Sequence, residues 1–188
     1  MTIPPELEPS IPSWARMGDK RRDHVRRVAE LVHRWTVAMD LPAGERSRWL
    51  RAVWLHDALR DADPAELAAW APGMAGPEEL LHGPAAARRA EAEGLTDRGI
   101  LEAVRHHSVG APDFDAVGRA LYCADFLEPG RRFDQAERAE LAERFPKDPD
   151  QVFREVVTRR LLYLVRSGWP LPDGTARLWN ALVASSSR

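Results

Sequence analysis

Four stretches of this sequence place an imidazole or a carboxylate where helix periodicity asks for an apolar side chain. His24 precedes Val28, Val32 and Trp35 by one, two and three turns, and Asp57, beside His56, continues the stripe Leu50, Val53, Trp54. His107 follows Ile100 and Val104, and Asp125 follows Val117 and Leu121. An ionisable group that faces a core is costly unless something pairs with it, so a shared site is the economical explanation for four of them. Neutral imidazoles and carboxylates are donors that hold Mn, Fe, Zn or Mg with coordination positions left open, which suits metal-assisted hydrolysis. The adjacent His56 and Asp57 offer one terminal donor and one carboxylate able to bridge two ions. His82, in the string LLHGP, stands at a Gly-Pro break where the backbone can approach a ligand closely. Any one of these residues alone reads more readily as a hydrogen-bonded core group; the set carries the inference.

The elements that must position these groups are helices. No run of alternating apolar and polar residues is long enough for a sheet, so the expected fold class is all-α, a single-domain helical bundle with the metal site between helices. A proline-rich leader over 1–18 precedes a domain over 19–183 and a frayed tail over 184–188. The first helix carries Val25 to Met39 and ends at LPAG; the second runs from about Glu45 to Arg60. Residues 61–84, broken by Pro64, Pro72, Gly73, Gly76, Pro77 and Pro84, read as short turns and loops. Further helices are expected over 85–93, 97–107, 115–127, 134–144 and 149–167. In the 97–107 helix His107 shares a face with Ile100 and Val104, whereas His106 lies about 100° further round, so His107 is the inward residue and His106 a surface or substrate-edge one. His33 has no inward stripe and is expected at the surface; Tyr122, Cys123 and the seven tryptophans are expected to pack.

Composition narrows the chemistry further. With 44% hydrophobic and 30% charged residues the 188-residue chain is neither disordered nor a membrane bundle, and no stretch reaches the roughly 18 unbroken apolar residues of a spanning helix. The beginning MTIPPELEPSIPSW lacks a basic region followed by an apolar run, so a cytoplasmic location is expected. A single cysteine, Cys123, leaves only nitrogen and oxygen donors for a metal. A net charge of −2 gives no general reason to bind nucleic acid. No Gly-rich phosphate loop, GxSxG elbow or CxxC motif occurs.

The order H…HD…H…H…D resembles the signature of the HD superfamily of metal-dependent phosphohydrolases. The strings WLHDALR, LLHGPAAA, AVRHHSVG and LYCADFLEPGR are similar to the four blocks of its YqeK family, the HD-type symmetrical diadenosine tetraphosphate hydrolases, over about 20–183. The resemblance implies that His24, His56, Asp57 and Asp125 bind one divalent ion and Asp57, His82 and His107 a second, with iron expected and manganese the other candidate. The chain departs from the family at Arg60, where lysine is usual, and at His106-His107-Ser108-Val109-Gly110, where the family has Tyr-His-Thr-Thr-Gly. Both departures bear on substrate and rate and leave the ligand set whole.

The expected reaction is hydrolysis of a phosphoanhydride in a nucleoside polyphosphate, with diadenosine tetraphosphate cut to two ADP as the leading case. Water acidified by two cations would supply hydroxide for in-line attack on phosphorus, with Asp57 between the ions. Arg60 and Arg131 are candidates for stabilising charge on the phosphoryl oxygens, and His82, Ser108 and Gly110 for lining the phosphate path. The alternatives are another HD nucleotidase or phosphodiesterase, or a non-catalytic nucleotide-sensing module. A nucleotide is the expected partner and a homodimer the assembly to test.

Overall fold

The computed structural model of the chain describes residues 10–74 and 77–186, and among them every regular element is helical. In order these are α1 (Asp19–Ala38), α2 (Ala43–His56), α3 (Pro64–Trp70), a 3₁₀ turn (Glu78–Leu80), α4 (His82–Ala92), α5 (Arg98–His106), α6 (Ala116–Leu127), α7 (Gln135–Arg144), α8 (Pro149–Arg166) and α9 (Asp173–Ser186). Four of them start on an aspartate whose side chain accepts the backbone N–H three residues on: Asp63 from Glu66, Asp97 from Ile100, Asp115 from Gly118 and Asp148 from Gln151. Pro64 and Pro149 occupy the first turn, where a missing N–H leaves no helical bond unmade. Arg48 of α2 gathers two of these caps, bonding Asp97 at 2.7 and 3.1 Å and Asp115 at 2.7 Å.

The stripes read from the sequence face the core. Val25, Val28, Val32 and Trp35 of α1 are buried, as are Trp49, Leu50, Val53 and Trp54 of α2, Ile100 and Val104 of α5, and Val117 and Leu121 of α6. α2 packs against α1, α5 and α6, and α4 lies along α5. The Trp35 ring stacks on Phe145 with centroids 3.9 Å apart, and its indole N–H donates to the Ala142 carbonyl, tying α1 to the end of α7. Trp14 and Met17, from the stretch expected as a leader, are buried in the same core. That stretch is strapped down by Arg16, whose N–H donates to the Ala58 carbonyl and whose carbonyl accepts from Asp61 N–H. Residues 1–9 of the leader and 187–188 of the tail lie outside the described residues.

Several boundaries differ from the expected ones. α2 stops at His56 and not at Arg60: Ala58 and Arg60 donate to carbonyls three residues back, which winds 57–61 into tight turns. α4 begins at His82, three residues early, because Pro84 falls in the first turn, where proline is tolerated. α5 ends at His106, so His107 is its capping residue. α9 was not expected at all. Pro170 and Pro172 precede the helix and Gly174 is its second residue; its Leu178 is buried and its Trp179 and Leu182 pack against the core.

Candidate metal centre

Six helix ends and turns deliver the polar groups to one buried place. His24 lies in the second turn of α1, His56 is the last residue of α2, Asp57 the first after it, and His82 the first of α4; His107 caps α5 and Asp125 stands near the end of α6. All six are buried, none more than 7% exposed. Asp57 is the centre. Its Oδ2 lies 3.7 Å from His24 Nε2 and 3.4 Å from His56 Nε2, while its Oδ1 lies 3.2 Å from His82 Nε2 and 3.5 Å from His107 Nε2. The two oxygens therefore face different pairs of imidazoles.

The imidazoles are held in register by their other nitrogen. His56 Nδ1 bonds the Val53 carbonyl at 2.7 Å, His82 Nδ1 the Glu79 carbonyl at 2.8 Å and His107 Nδ1 the Val104 carbonyl at 2.8 Å, each three residues back. A carbonyl only accepts, so Nδ1 carries the proton and neutral Nε2 turns a lone pair inward. His24 differs: its Nδ1 meets the Glu128 carboxylate at 3.1 Å. Gly83 makes the approach of α4 to α5 possible, since a Cβ there would lie 2.9 Å from the Val104 carbonyl. As a result His82 Nε2 and His107 Nε2 stand 3.0 Å apart.

Electrostatics reinforce this picture. Burial would raise the Asp57 pKa, but the imidazoles of His56, His107 and His82 gathered around it hold it well below the carboxylate range. Burial drives His107 down to about 4, so it is neutral. Burial also lowers His24, yet hydrogen bonds to Asp125 and Glu128 outweigh it and raise the group to about 9. Asp125, against burial, is held well below its usual range by Arg131 and His24.

These residues fit a divalent cation. Two donors about 2.1 Å from one ion stand about 3.0–3.4 Å apart at octahedral or tetrahedral angles; His56 and His82 stand at 3.4 and 3.2 Å from Asp57, within that range, and His107 and His24 at 3.5 and 3.7 Å, just beyond it. His56 Nε2 is buried with no hydrogen-bond partner, and the Nε2 atoms of His82 and His107 face each other at 3.0 Å; lone pairs turned on each other in a dry interior call for a cation. His24, His56 and Asp57 form one compact donor group and Asp57, His82 and His107 another.

The remaining expected site residues divide. Asp125 Oδ1 comes within 3.2 Å of His24 Nε2 but also within 2.6 Å of Arg131 Nη2, so it borders the first group. Ser108 Oγ reaches His107 Nε2 at 3.1 Å. Arg131 is at the rim, tied to Asp125 and Glu128. Arg60 is half-buried, and among the described residues its guanidinium is held by no ion pair. Gly110, expected on a phosphate path, is buried under Leu178 instead; its positive φ of 82° closes the turn after α5 and its missing Cβ admits α9. His106 is outside the cluster, paired with Glu102 at 3.3 Å. His33 is half-buried, nine residues or about 13 Å along α1 from His24.

Sequence reasoning missed Arg21, Arg27, Glu128 and Arg160. Arg21 Nη1 bonds Asp57 Oδ2 at 2.7 Å; it stands three residues before His24 and so shares its face. Glu128 follows Asp125 by the same spacing, and Arg27 Nε binds it at 2.6 Å. Arg160 donates to the Ser108 carbonyl, lies 3.7 Å from Asp125 Oδ2 and covers the Tyr122 ring. It continues the buried stripe Val152, Phe153, Val156, Val157, the same signal that marked the carboxylates.

The HD domain family model matches residues 21–153, the span that contains all six residues. The chain belongs to the HD domain family. Among curated relatives of this HD-domain chain, a symmetrical bis(5'-nucleosyl)-tetraphosphatase of Bacillus subtilis (strain 168) is 31% identical over 110 residues, 57% of this chain and 58% of the relative. Proteins of the same name from Halalkalibacterium halodurans and Staphylococcus aureus (strain NCTC 8325 / PS 47) are each 26% identical, over 56% of both chains and 80% of both chains respectively. The chain thus spans little more than half the length of the first two relatives. The fold is similar to that in a crystal structure of a predicted HD superfamily hydrolase involved in NAD metabolism from Clostridium acetobutylicum, with a TM-score of 0.76 and 22% identity over 90% of this chain and 92% of that one. Among the described residues no helix is long and apolar enough to cross a membrane.

Proposed function

We propose that this HD-domain chain is a cytoplasmic, metal-dependent hydrolase of nucleoside polyphosphates that cuts diadenosine tetraphosphate symmetrically into two ADP. The observation that carries the reading is Asp57, whose two oxygens face separate imidazole pairs. His24, His56, Asp57 and Asp125 are proposed to hold one ion and Asp57, His82 and His107 a second, iron in both, with manganese as the substitute. The names of the curated relatives support the substrate.

A divalent pair in such a site supplies Lewis acidity toward phosphoryl oxygens and acidifies water for attack. The chain's residues do the rest. His56, His82 and His107 present fixed lone pairs because their Nδ1 protons are spent on carbonyls. Arg131 and Arg160 stand at the rim, where a guanidinium can take phosphoryl oxygens in bidentate fashion; Arg60, half-buried beyond Asp57, is proposed for the same task. Water adds to the second phosphorus from one adenosine, the bridging P–O bond breaks, and each half leaves as ADP with release of a proton.

The test is product analysis. Purified, metal-analysed protein incubated with diadenosine tetraphosphate should yield ADP alone by anion-exchange chromatography. ATP plus AMP would reject symmetric cleavage, and no cleavage of any dinucleoside polyphosphate or mononucleotide would reject the hydrolase reading.

A further inference from the structure

Three of the four histidines of the cluster are anchored by the carbonyl three residues before them, through the local backbone alone. His24 is the exception. Its Nδ1 is met at 3.1 Å by Oε1 of Glu128, a side chain 104 residues away and 2% exposed. The carboxylate is itself built in: Oε2 accepts from Arg27 Nε at 2.6 Å and from Gly130 N–H at 2.7 Å, and Arg131 Nε lies 3.6 Å from Oε1. Gly130 leaves room for the Arg27 guanidinium, which a Cβ there would push aside. A buried carboxylate so fixed, with one oxygen aimed at an imidazole whose far nitrogen faces the Asp125 and Asp57 carboxylates at 3.2 and 3.7 Å, has the geometry of a carboxylate–histidine–metal relay.

We infer that Glu128 is a positioning residue that orients His24 and strengthens Nε2 as a donor, so that one of the two cation positions depends on it and the other does not. A carboxylate polarises the imidazole more than a carbonyl does, and such partners typically govern metal affinity by 10–100-fold. The inference rests on the reading of the His24 side as a cation position. The other side has no counterpart: His82 and His107 hang on Glu79 and Val104 carbonyls, which no side-chain substitution removes.

The test is Co(II) titration of the metal-free chain, followed by ligand-field absorption and metal content. Wild type, His24→Ala and His107→Ala are compared with the same three chains carrying Glu128→Gln. Glutamine keeps the shape and still accepts from Nδ1, but lacks the charge. Glu128→Gln should weaken one of two Co(II) steps by about 10–100-fold, weaken the surviving step of His107→Ala by the same factor, and leave the surviving step of His24→Ala unchanged. A merely structural glutamate would weaken both backgrounds alike; that result, or unaltered affinity throughout, overturns the inference. A wild-type chain that takes up no Co(II) would bring down the metal reading as well, which separates the two failures. If circular dichroism shows that Glu128→Gln does not fold, Arg27→Met, which unclamps the carboxylate, should shift the same step in the same direction by a smaller factor, and no shift overturns the inference.

Discussion

The two sides of the Asp57 carboxylate are built on opposite plans. Around Oδ1 the site is backbone architecture: His82 and His107 start and end their helices, hang on carbonyls, and meet each other at 3.0 Å. Around Oδ2 it is a charged network in which His24 leans on Glu128 and Asp125, and Arg21, Arg27 and Arg131 neutralise the three carboxylates. The backbone side is determined once α4 lies along α5, which Gly83 permits. The charged side exists only when α1, α2, α6 and the loop after α6 are all in place. One half of the centre is thus rigid and electrically quiet, and the other is adjustable by single side chains.

Asp57→Asn should erase the difference between the sides, because it serves both. A neutral amide bridges cations poorly, so metal content should fall and turnover of diadenosine tetraphosphate should drop at least about a hundredfold. Near wild-type turnover in a folded Asp57→Asn chain would place the chemistry elsewhere. His107→Ala strikes the backbone side alone: it should lose one ion and nearly all activity. His106→Ala should keep both ions and most of the rate, since His106 pairs with Glu102 outside the cluster. The reverse outcome in elemental analysis and rate would assign the wrong neighbour.

Protons distinguish the sides more finely. His24, raised to about 9, holds a proton at pH 7 that a cation must displace, whereas His107, lowered to about 4, has none to lose. Cation affinity on the His24 side should therefore climb about tenfold per pH unit between pH 7 and 9, and stay nearly flat on the other. Titration calorimetry in two buffers of different ionisation enthalpy should count about one proton released per chain. In the metal-free chain the sign is opposite: a pKa raised from 6.5 stabilises the fold fully below 6.5, and that contribution is lost as pH rises through about 9. The smallest effect belongs to Arg48→Met, remote from both sides. Asp97 and Asp115 keep capping their helices, so after solvent screening the loss should be about 1 kcal/mol, or roughly 2–4 °C in Tm. A shift in Co(II) affinity would show that this corner does reach the site.

Much of this was legible from residue spacing, because a helix repeats every 3.6 residues and an inward polar group interrupts an apolar stripe visibly. His24, His107 and Asp125 stand at stripe ends in the sequence, and in the structure they are buried where the helices converge. The four capped helix starts are equally local, each needing only an aspartate and the N–H three residues on. What periodicity misread were the places where the chain leaves the helix. Asp57 lies on a turn after α2 and not on its stripe, and His82 opens α4 through a proline that looked like a stop. α9 went unseen because Pro170, Pro172 and Gly174 mark its beginning as strongly as they would mark a loop.

Tertiary structure alone decided which oxygen of Asp57 faces which imidazole, that Glu128 reaches His24 across 104 residues, and that Arg21 and Arg131 sit on the cluster's carboxylates while Arg60 does not. It also placed Gly110 beneath Leu178. Residue spacing reports the direction of a side chain relative to its own helix. The distance between side chains on different helices depends on how those helices cross, and that is set by packing summed over the whole core.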